Sequence, residues 1–319
     1  MKKSIFYSII CLLCAACSQV PEADKSIQVS SSAPEGRACA MCFAADSTIY
    51  IAGGRIQDGT YPATLLRYSI GTDQWTETAA VPLPPRVNGT VCCTEQDVYM
   101  GLGFGGGNVH MDSTYLHDWW RYSPTTDTWT ALAAFPAPQT AAAVSWYDNE
   151  CIWVACGFRG YTNDIWCYHI DSDRWTQATE QSPIRVMSAV AARCGGRYFI
   201  GSGFRNTSHS YWYEWFRDGH WEKCSSIPGK GRHNAACSAT DKAVWVFGGW
   251  HYGDSLTTGF HYDDILRYTP DRDQWTLCGT IPCGTTENGV ACAVGERVYF
   301  GLGEDKNGHI HTEWYYIED

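Results

Sequence analysis

The chain has 319 residues, of which 14% are aromatic and 18% charged, with 31 glycines and a formal net charge of −11. A surface this acidic excludes binding to nucleic acid through its phosphates, and the lack of any useful helical period after residue 20 excludes a helical bundle. The length would permit two domains, but one pattern repeats from about residue 37 to the C-terminus, which argues for a single closed body.

The first residues, MKKSIFYSIICLLCAACSQV, join Lys2 and Lys3 to an apolar run too short to span a bilayer, followed by small residues before Cys17. This is expected to be an export signal over residues 1–16. Leu13-Cys14-Ala15-Ala16-Cys17 resembles a bacterial lipobox. Cys17 is therefore the expected lipidation site, residues 17–25 a tether, and the periplasmic or outer-membrane face of a bacterium the expected location. Losing the two lysines with residues 1–16 makes the formal charge −13. Thirteen of the 16 cysteines lie beyond residue 17. An exported chain permits disulfides. Yet Cys39, Cys42, Cys92, Cys93, Cys237 and Cys292 are all expected on innermost strands, where a small apolar side chain fits a crowded axis, so mostly free buried thiols are expected.

Six apolar strands then run into a glycine: IYIAGG, VYMGLG, IWVACG, YFIGSG, VWVFGG and VYFGLG. The last glycines, Gly54, Gly103, Gly157, Gly203, Gly249 and Gly303, are 49, 54, 46, 46 and 54 residues apart. A period near 50 with four short strands per unit predicts sheets repeated radially, because each unit exposes an apolar face that only its neighbours can cover. A second landmark is an aromatic followed seven residues later by tryptophan, as in Tyr68 and Trp75, Tyr122 and Trp129, Tyr168 and Trp175, and Tyr268 and Trp275. Each pair spans a turn containing Asp73, Asp127, Asp173 or Asp273. The last unit ends at TEWYYIED, too early for an outer strand D. Residues 26–32 are expected to supply that strand by pairing with Trp314 to Tyr316, which closes the ring.

Glycine, strand C, then Tyr and Trp at this spacing resembles the kelch repeat over nearly everything after residue 26, and HDWWRYSPTTDTWTALAAFP around Trp119 is similar to kelch proteins of exported bacterial type. The fold expected is an all-β, six-bladed kelch β-propeller over residues 26–319, with four antiparallel strands per blade and an N-terminal strand in the last blade.

The A-to-B and C-to-D connections of such a blade lie on one face and are tight turns here. The B-to-C and D-to-A connections lie on the other, and the longest of them, 104–117 and 250–263, belong to blades two and five. Long loops converging over a central channel make this face the expected ligand site. Of ten histidines, seven fall in its B-to-C loops: His110, His117, His209, His251, His261, His309 and His311. His233 adds an eighth from a D-to-A connection. At the start of strand A stand Arg37, Arg86, Arg185 and Arg232, with Gln139 and Glu287 near the equivalent place in the other units. Their guanidinium groups are expected at the channel mouth, where they suit a carboxylate or a sugar acid. Tyr115, Arg159, Arg205, Trp250 and Glu304 complete the expected ligand-binding set, Trp250 as a surface on which a sugar ring stacks.

Phosphate-cradling loops, zincin and nucleophile-elbow motifs and paired CxxC spacing are absent. The single pair Cys39 and Cys42 reads as packing, and no cofactor or metal is expected. Two functions follow. One is a membrane-anchored, monomeric binding module for a glycan, an acidic sugar or a partner protein. The other is implied by resemblance to the sialic acid mutarotases among exported kelch proteins, with Glu287, Glu304, His233 and the arginines in the acid, base and anchoring roles.

Overall fold

The computed structural model describes residues 20–23, 25–107, 110–138, 141–158, 162–253 and 258–319. The expected signal and Cys17 lie outside the described residues, as do Gln139 and Arg159. Six four-stranded antiparallel sheets stand around an axis. In blade 1 the strands are Met41–Ala45 (A, innermost), Thr48–Ala52 (B), Leu65–Ser69 (C) and Gln74–Glu77 (D, outermost). Among the described residues the only helical segments are three 3-10 turns of three residues each. The core lies between blades as a set of aromatic and aliphatic clusters. Strand B, buried on both faces, carries most of it, as in Val244–Phe247.

Blade 6 is built from Val290–Val294, Arg297–Gly301 and Trp314–Glu318, and its outer strand is Ile27–Val29. Ile27 pairs with Ile317, Gln28 with Tyr316 and Val29 with Tyr315, which is the expected closure. Residues 20–23, at the end of the expected tether, run along the outer strand of blade 5. There Leu277 N–H donates to Pro21 O at 2.8 Å and Ala23 N–H to Leu277 O at 2.9 Å.

Each landmark repeats because it joins neighbouring blades. The aspartate between the aromatics holds a left-handed conformation, φ 52° at Asp73 and 51° at Asp173. Its Oδ1 accepts the tyrosine hydroxyl of its own blade (Tyr68 to Asp73, 2.8 Å) and, in blades 1, 3 and 5, a backbone N–H of the preceding blade (Ser31 to Asp73, 2.9 Å), whereas Asp127 of blade 2 accepts from Arg67 Nη2 of blade 1 at 2.9 Å. In blades 1, 3 and 5 the following tryptophan donates its Nε1–H to the carbonyl of the residue that supplies this backbone N–H, as in Trp75 to Ser31 at 2.8 Å and Trp275 to Ser225 at 2.8 Å. The Tyr, Asp and Trp triplet is therefore an inter-blade clasp, and in blade 1 it grips the closing strand.

The landmark glycines form a second joint. Gly54 N–H donates to Arg86 O of the next blade at 2.7 Å, and Gly303 closes the circle on Arg37 O at 2.9 Å. A Cβ at Gly303 would lie 2.5 Å from Glu287 O and 2.6 Å from Gly289 N, and φ there is +80°. That explains why the second glycine persists in all six units. The preceding position needs only the left-handed region, and Leu102, Cys156, Ser202 and Leu302 occupy it at φ 55–63°.

Candidate functional site

Where strand A begins, each blade places one residue with positive φ beside the axis: Cys39, Asn88, Ala142, Ser188, Asn234 and Asn288. Their backbones hydrogen-bond head to tail around the whole ring. Asn88 N–H donates to Cys39 O, Ala142 to Asn88, Ser188 to Ala142, Asn234 to Ser188, Asn288 to Asn234 and Cys39 to Asn288, at 2.8–3.4 Å. This girdle lines an axial cavity of about 160 Å³. Below it the small residues immediately before strand A, such as Ala40, Gly89, Ala143 and Ala235, line a second cavity of about 220 Å³ together with the strand's first residues.

On the loop side of the girdle, two glutamates stand side by side. The backbones of Glu287 and Glu304 pair as an isolated bridge. Glu287 accepts from Asn234 Nδ2 at 2.8 Å through Oε2, and its Oε1 lies 2.9 Å from His261 Nε2. Glu304 accepts from Asn288 Nδ2 at 3.0 Å and from Arg55 Nη2 at 2.6 Å. Both glutamates are 13% exposed and His261 15%, so the cluster is mostly enclosed yet reachable. The hydrogen bond to Glu304, outweighing partial burial, raises the Arg55 pKa and keeps it charged. Burial first, then the Glu304 charge, pushes the Cys39 thiol up to about 12, which rules out a thiolate at the mouth.

Beside the carboxylates, Trp250 lies parallel to His261, with ring centres 5.6 Å apart and 7° between planes. Phe204, Tyr252 and His233 extend this aromatic surface. Exposed large apolar side chains also collect on this face. Met111, Tyr211, Tyr252 and Phe260 all lie in B-to-C loops, and among the described residues only Val29 is found elsewhere.

A family model described as the KLHDC2/KLHL20/DRC7 Kelch-repeats domain matches residues 22–203, more than half of the chain. The chain belongs to the kelch-repeat family. No curated protein sequence matches it. Among solved structures, the one titled "Structure of YjhT" superposes with a TM-score of 0.75 at 16% identity, covering 89% of this chain and 95% of that one. At that identity the likeness shows the propeller fold alone.

Within this kelch propeller the expected arginine ring does not reach the channel. Arg37, Arg86 and Arg232 have fully buried side chains. Each donates to the first residue of its own blade's landmark pair: Gly53 O at 3.2 Å, Leu102 O at 2.7 Å and Gly248 O at 2.9 Å. Each also reaches the start of strand C, where Arg86 grips Asp118 at 2.9 and 2.6 Å and Arg232 grips Asp264 at 2.6 and 2.8 Å. Arg37 bonds Thr64 there instead. Most of their donors are spent inside the blade, and the Nε–H groups of Arg37 and Arg232 that lack a partner are buried there too, so none of the three guanidiniums faces the channel. Arg185 is exposed and stands one residue before the equivalent position, which Val186 fills. In its place at the mouth is Arg55, just past the landmark glycine.

The histidines divide by burial. His251 is buried with Nδ1 3.0 Å from Gly231 O, and Tyr115 is buried between Phe104 and Phe158, so neither faces a ligand. His209 is half-buried and stacked on Tyr211, with burial lowering its pKa. His110 is exposed, while Arg205 is half-buried on a two-residue strand of the blade 4 loop. Cys39, expected on an innermost strand, sits instead at the girdle just before it. All thirteen cysteines of the described residues are free thiols, though Cys93 is exposed.

His233 is 4% exposed, with Nδ1 2.9 Å from Ser208 Oγ. Burial, with His251 and His261 adding to it, holds its pKa down to about 4. A histidine depressed in the native state is protonated first in the unfolded chain, so stability is full above its ordinary pKa of about 6.5 and falls as the pH drops toward 4. The loss attributable to His233 is expected to reach up to about 3 kcal/mol. Urea unfolding at stepped pH should show a shallower slope for His233→Gln. Equal slopes in the two proteins would remove this account.

Proposed function

We propose that the loop face binds a polyhydroxylated, sugar-type ligand across the channel mouth. The observation that carries this reading is the pair Glu287 and Glu304 at the girdle, each held by fixed donors and each keeping lone pairs free for ligand hydroxyls. The aromatic surface of Trp250, Phe204 and Tyr252 supplies a partner for the apolar face of a sugar ring. With three arginines withdrawn into the blades and Arg55 neutralised by Glu304, the charge balance favours hydroxyls over a ligand carboxylate. From the N-terminal leader we further propose that the propeller works outside the cytoplasm, anchored through Cys17.

A screen of a glycan array and free monosaccharides, sialic acids included, tests this on the chain from residue 20, which keeps the contacts of Pro21 and Ala23. Binding is expected, and Glu287→Gln or Glu304→Gln should weaken it roughly 10–100-fold, the worth of a hydrogen bond to a charged group. A blank screen, or captured sugar indifferent to both substitutions, would sink the proposal.

The contact between His261 and Glu287 supports a second reading, sugar mutarotation. Ring opening requires one group to take the anomeric hydroxyl proton while another protonates the ring oxygen. In that case anomer exchange measured by NMR should be accelerated by the protein and lost in Glu287→Gln. Binding without exchange leaves the first reading alone.

A further inference from the structure

Blade 3 holds a cluster that the loop face does not use. Its strand B, Cys151–Ala155, pairs with strand C, Asp164–His169, so that Cys151 stands directly across from His169. Cys167, two residues before His169, falls on the same face of the sheet. His169 Nδ1 consequently lies 3.5 Å from Cys151 Sγ and 3.9 Å from Cys167 Sγ. The three ligand atoms are all within 4.8 Å of one another, and among the described residues no other group of three or more such side chains converges this way.

We propose that Cys151, Cys167 and His169 form a binding site for a thiophilic d10 cation, Zn²⁺ or Cu⁺. A tetrahedral ion with bonds of about 2.3 Å to sulfur and about 2.0–2.1 Å to nitrogen places sulfur and nitrogen roughly 3.5 Å apart, which Cys151 already meets and Cys167, at 3.9 Å, reaches with a small shift. Two thiolates and one imidazole select soft cations and reject Ca²⁺ and Mg²⁺. The histidine is also oriented for the task. Its Nε2 lies 2.7 Å from Thr176 Oγ1, on the strand D residue that pairs with Cys167. With Nε2–H donating to that hydroxyl, the Nδ1 lone pair points at both sulfurs, the outer-shell arrangement that metal-bound histidines use.

The surroundings leave one coordination position open. Asp148 Oδ1 already accepts the N–H groups of Glu150 and Cys151, at 2.9 and 2.8 Å, and is committed to its turn. Cys167 is buried, while Cys151 and His169 are half-buried, so an ion can enter from solvent and keep water as its fourth ligand. The site lies at the start of strand B and the end of strand C. That is the tight-turn face, opposite the channel mouth, so this proposal stands or falls independently of the sugar reading.

The test is titration of the full chain, reduced and metal-free, with Zn²⁺ and, in a separate anaerobic arm, with Cu⁺. Co²⁺ serves as the spectroscopic probe of thiolate ligation. One ion per chain is expected, together with a thiolate-to-cobalt charge-transfer band and a rise in melting temperature. Cys151→Ser and Cys167→Ser should abolish the band. Thr176→Val should keep the stoichiometry and weaken affinity roughly 10–100-fold. Tight binding in only one of the two arms assigns the ion. The proposal is overturned by the absence of the band in a chain whose metal-free melt is unchanged. It is equally overturned by binding that survives in the double cysteine variant, or by a Cys151–Cys167 disulfide found by peptide mapping in protein isolated without reductant.

Discussion

A chain that begins at residue 34 is expected to be insoluble, or to lose its cooperative melt, while the chain from residue 20 folds. The deletion removes Ile27–Val29 and leaves strand Trp314–Glu318 as an open edge, with its backbone groups unpaired and free to recruit other chains. It also strips the clasp of blade 1. Ser31 supplies Asp73 with both an N–H and a hydroxyl donor and accepts from Trp75 Nε1, while Ser30 and Ala33 N–H donate to Trp314 O and Thr312 O at 2.9 and 2.8 Å. Each intramolecular hydrogen bond lost is worth about 0.5–1.5 kcal/mol net, and these five go together with the ladder of the closing strand. The sum is comparable to the about 5–15 kcal/mol by which native domains are stable. Soluble yield and circular-dichroism melts of chains starting at residues 20, 26 and 34 check this. The chain from residue 26 loses only the contacts of Pro21 and Ala23 and should fall between the other two. Superimposable melts for the chains from 20 and 34 would mean that the ring does not depend on its closing strand.

Arg232→Met is expected to cost about 3–5 kcal/mol, because it leaves the Asp264 carboxylate facing the blade without its bidentate partner. The guanidinium also donates to Gly248 O and Pro228 O and lies 3.8 Å from the Tyr262 ring centre, so blade 5 loses a pin between its landmark and its strand C. Adding Asp264→Leu removes the stranded charge and should recover much of the loss. Denaturant unfolding of the two single variants and the double variant measures this. A structural pin makes a second demand: well below its melting point, Arg232→Met should bind ligand as the parent does. Stability unchanged but ligand lost would restore this arginine to the binding site.

Much of this molecule is legible in one dimension because a repeat is a local signal. Six glycine landmarks, the Tyr and Trp pairs and the missing last strand D each follow from residues a few positions apart. They imply the blade count, the strand order and even the closure by residues 26–32. The arginines show where such reading ends. Spacing marks Arg37, Arg86 and Arg232 as recurrent but carries no sign of direction, and the partners that draw them inward, Thr64, Asp118 and Asp264, stand at the start of strand C, 27–32 residues away. At the mouth, Glu287 and Glu304 stand out in the sequence, whereas nothing in it ties Arg55, Asn234, Asn288 and His261 to one another. Those four come from blades 1, 5 and 6, and only ring closure brings blade 6 against blade 1.

The same distinction separates the two candidate sites from the scaffold. Residue order is enough to specify a closed ring of six blades with one loop-rich face, since hydrophobic period, turn chemistry and glycine placement act over a few residues. Which polar side chains converge is settled only in the folded ring. Cys151, Cys167 and His169 follow no metal-ligand spacing, and it is strand register that sets Cys151 across from His169. Convergence depends on register and on packing between blades, and both arise from contacts between residues that have no fixed separation along the chain.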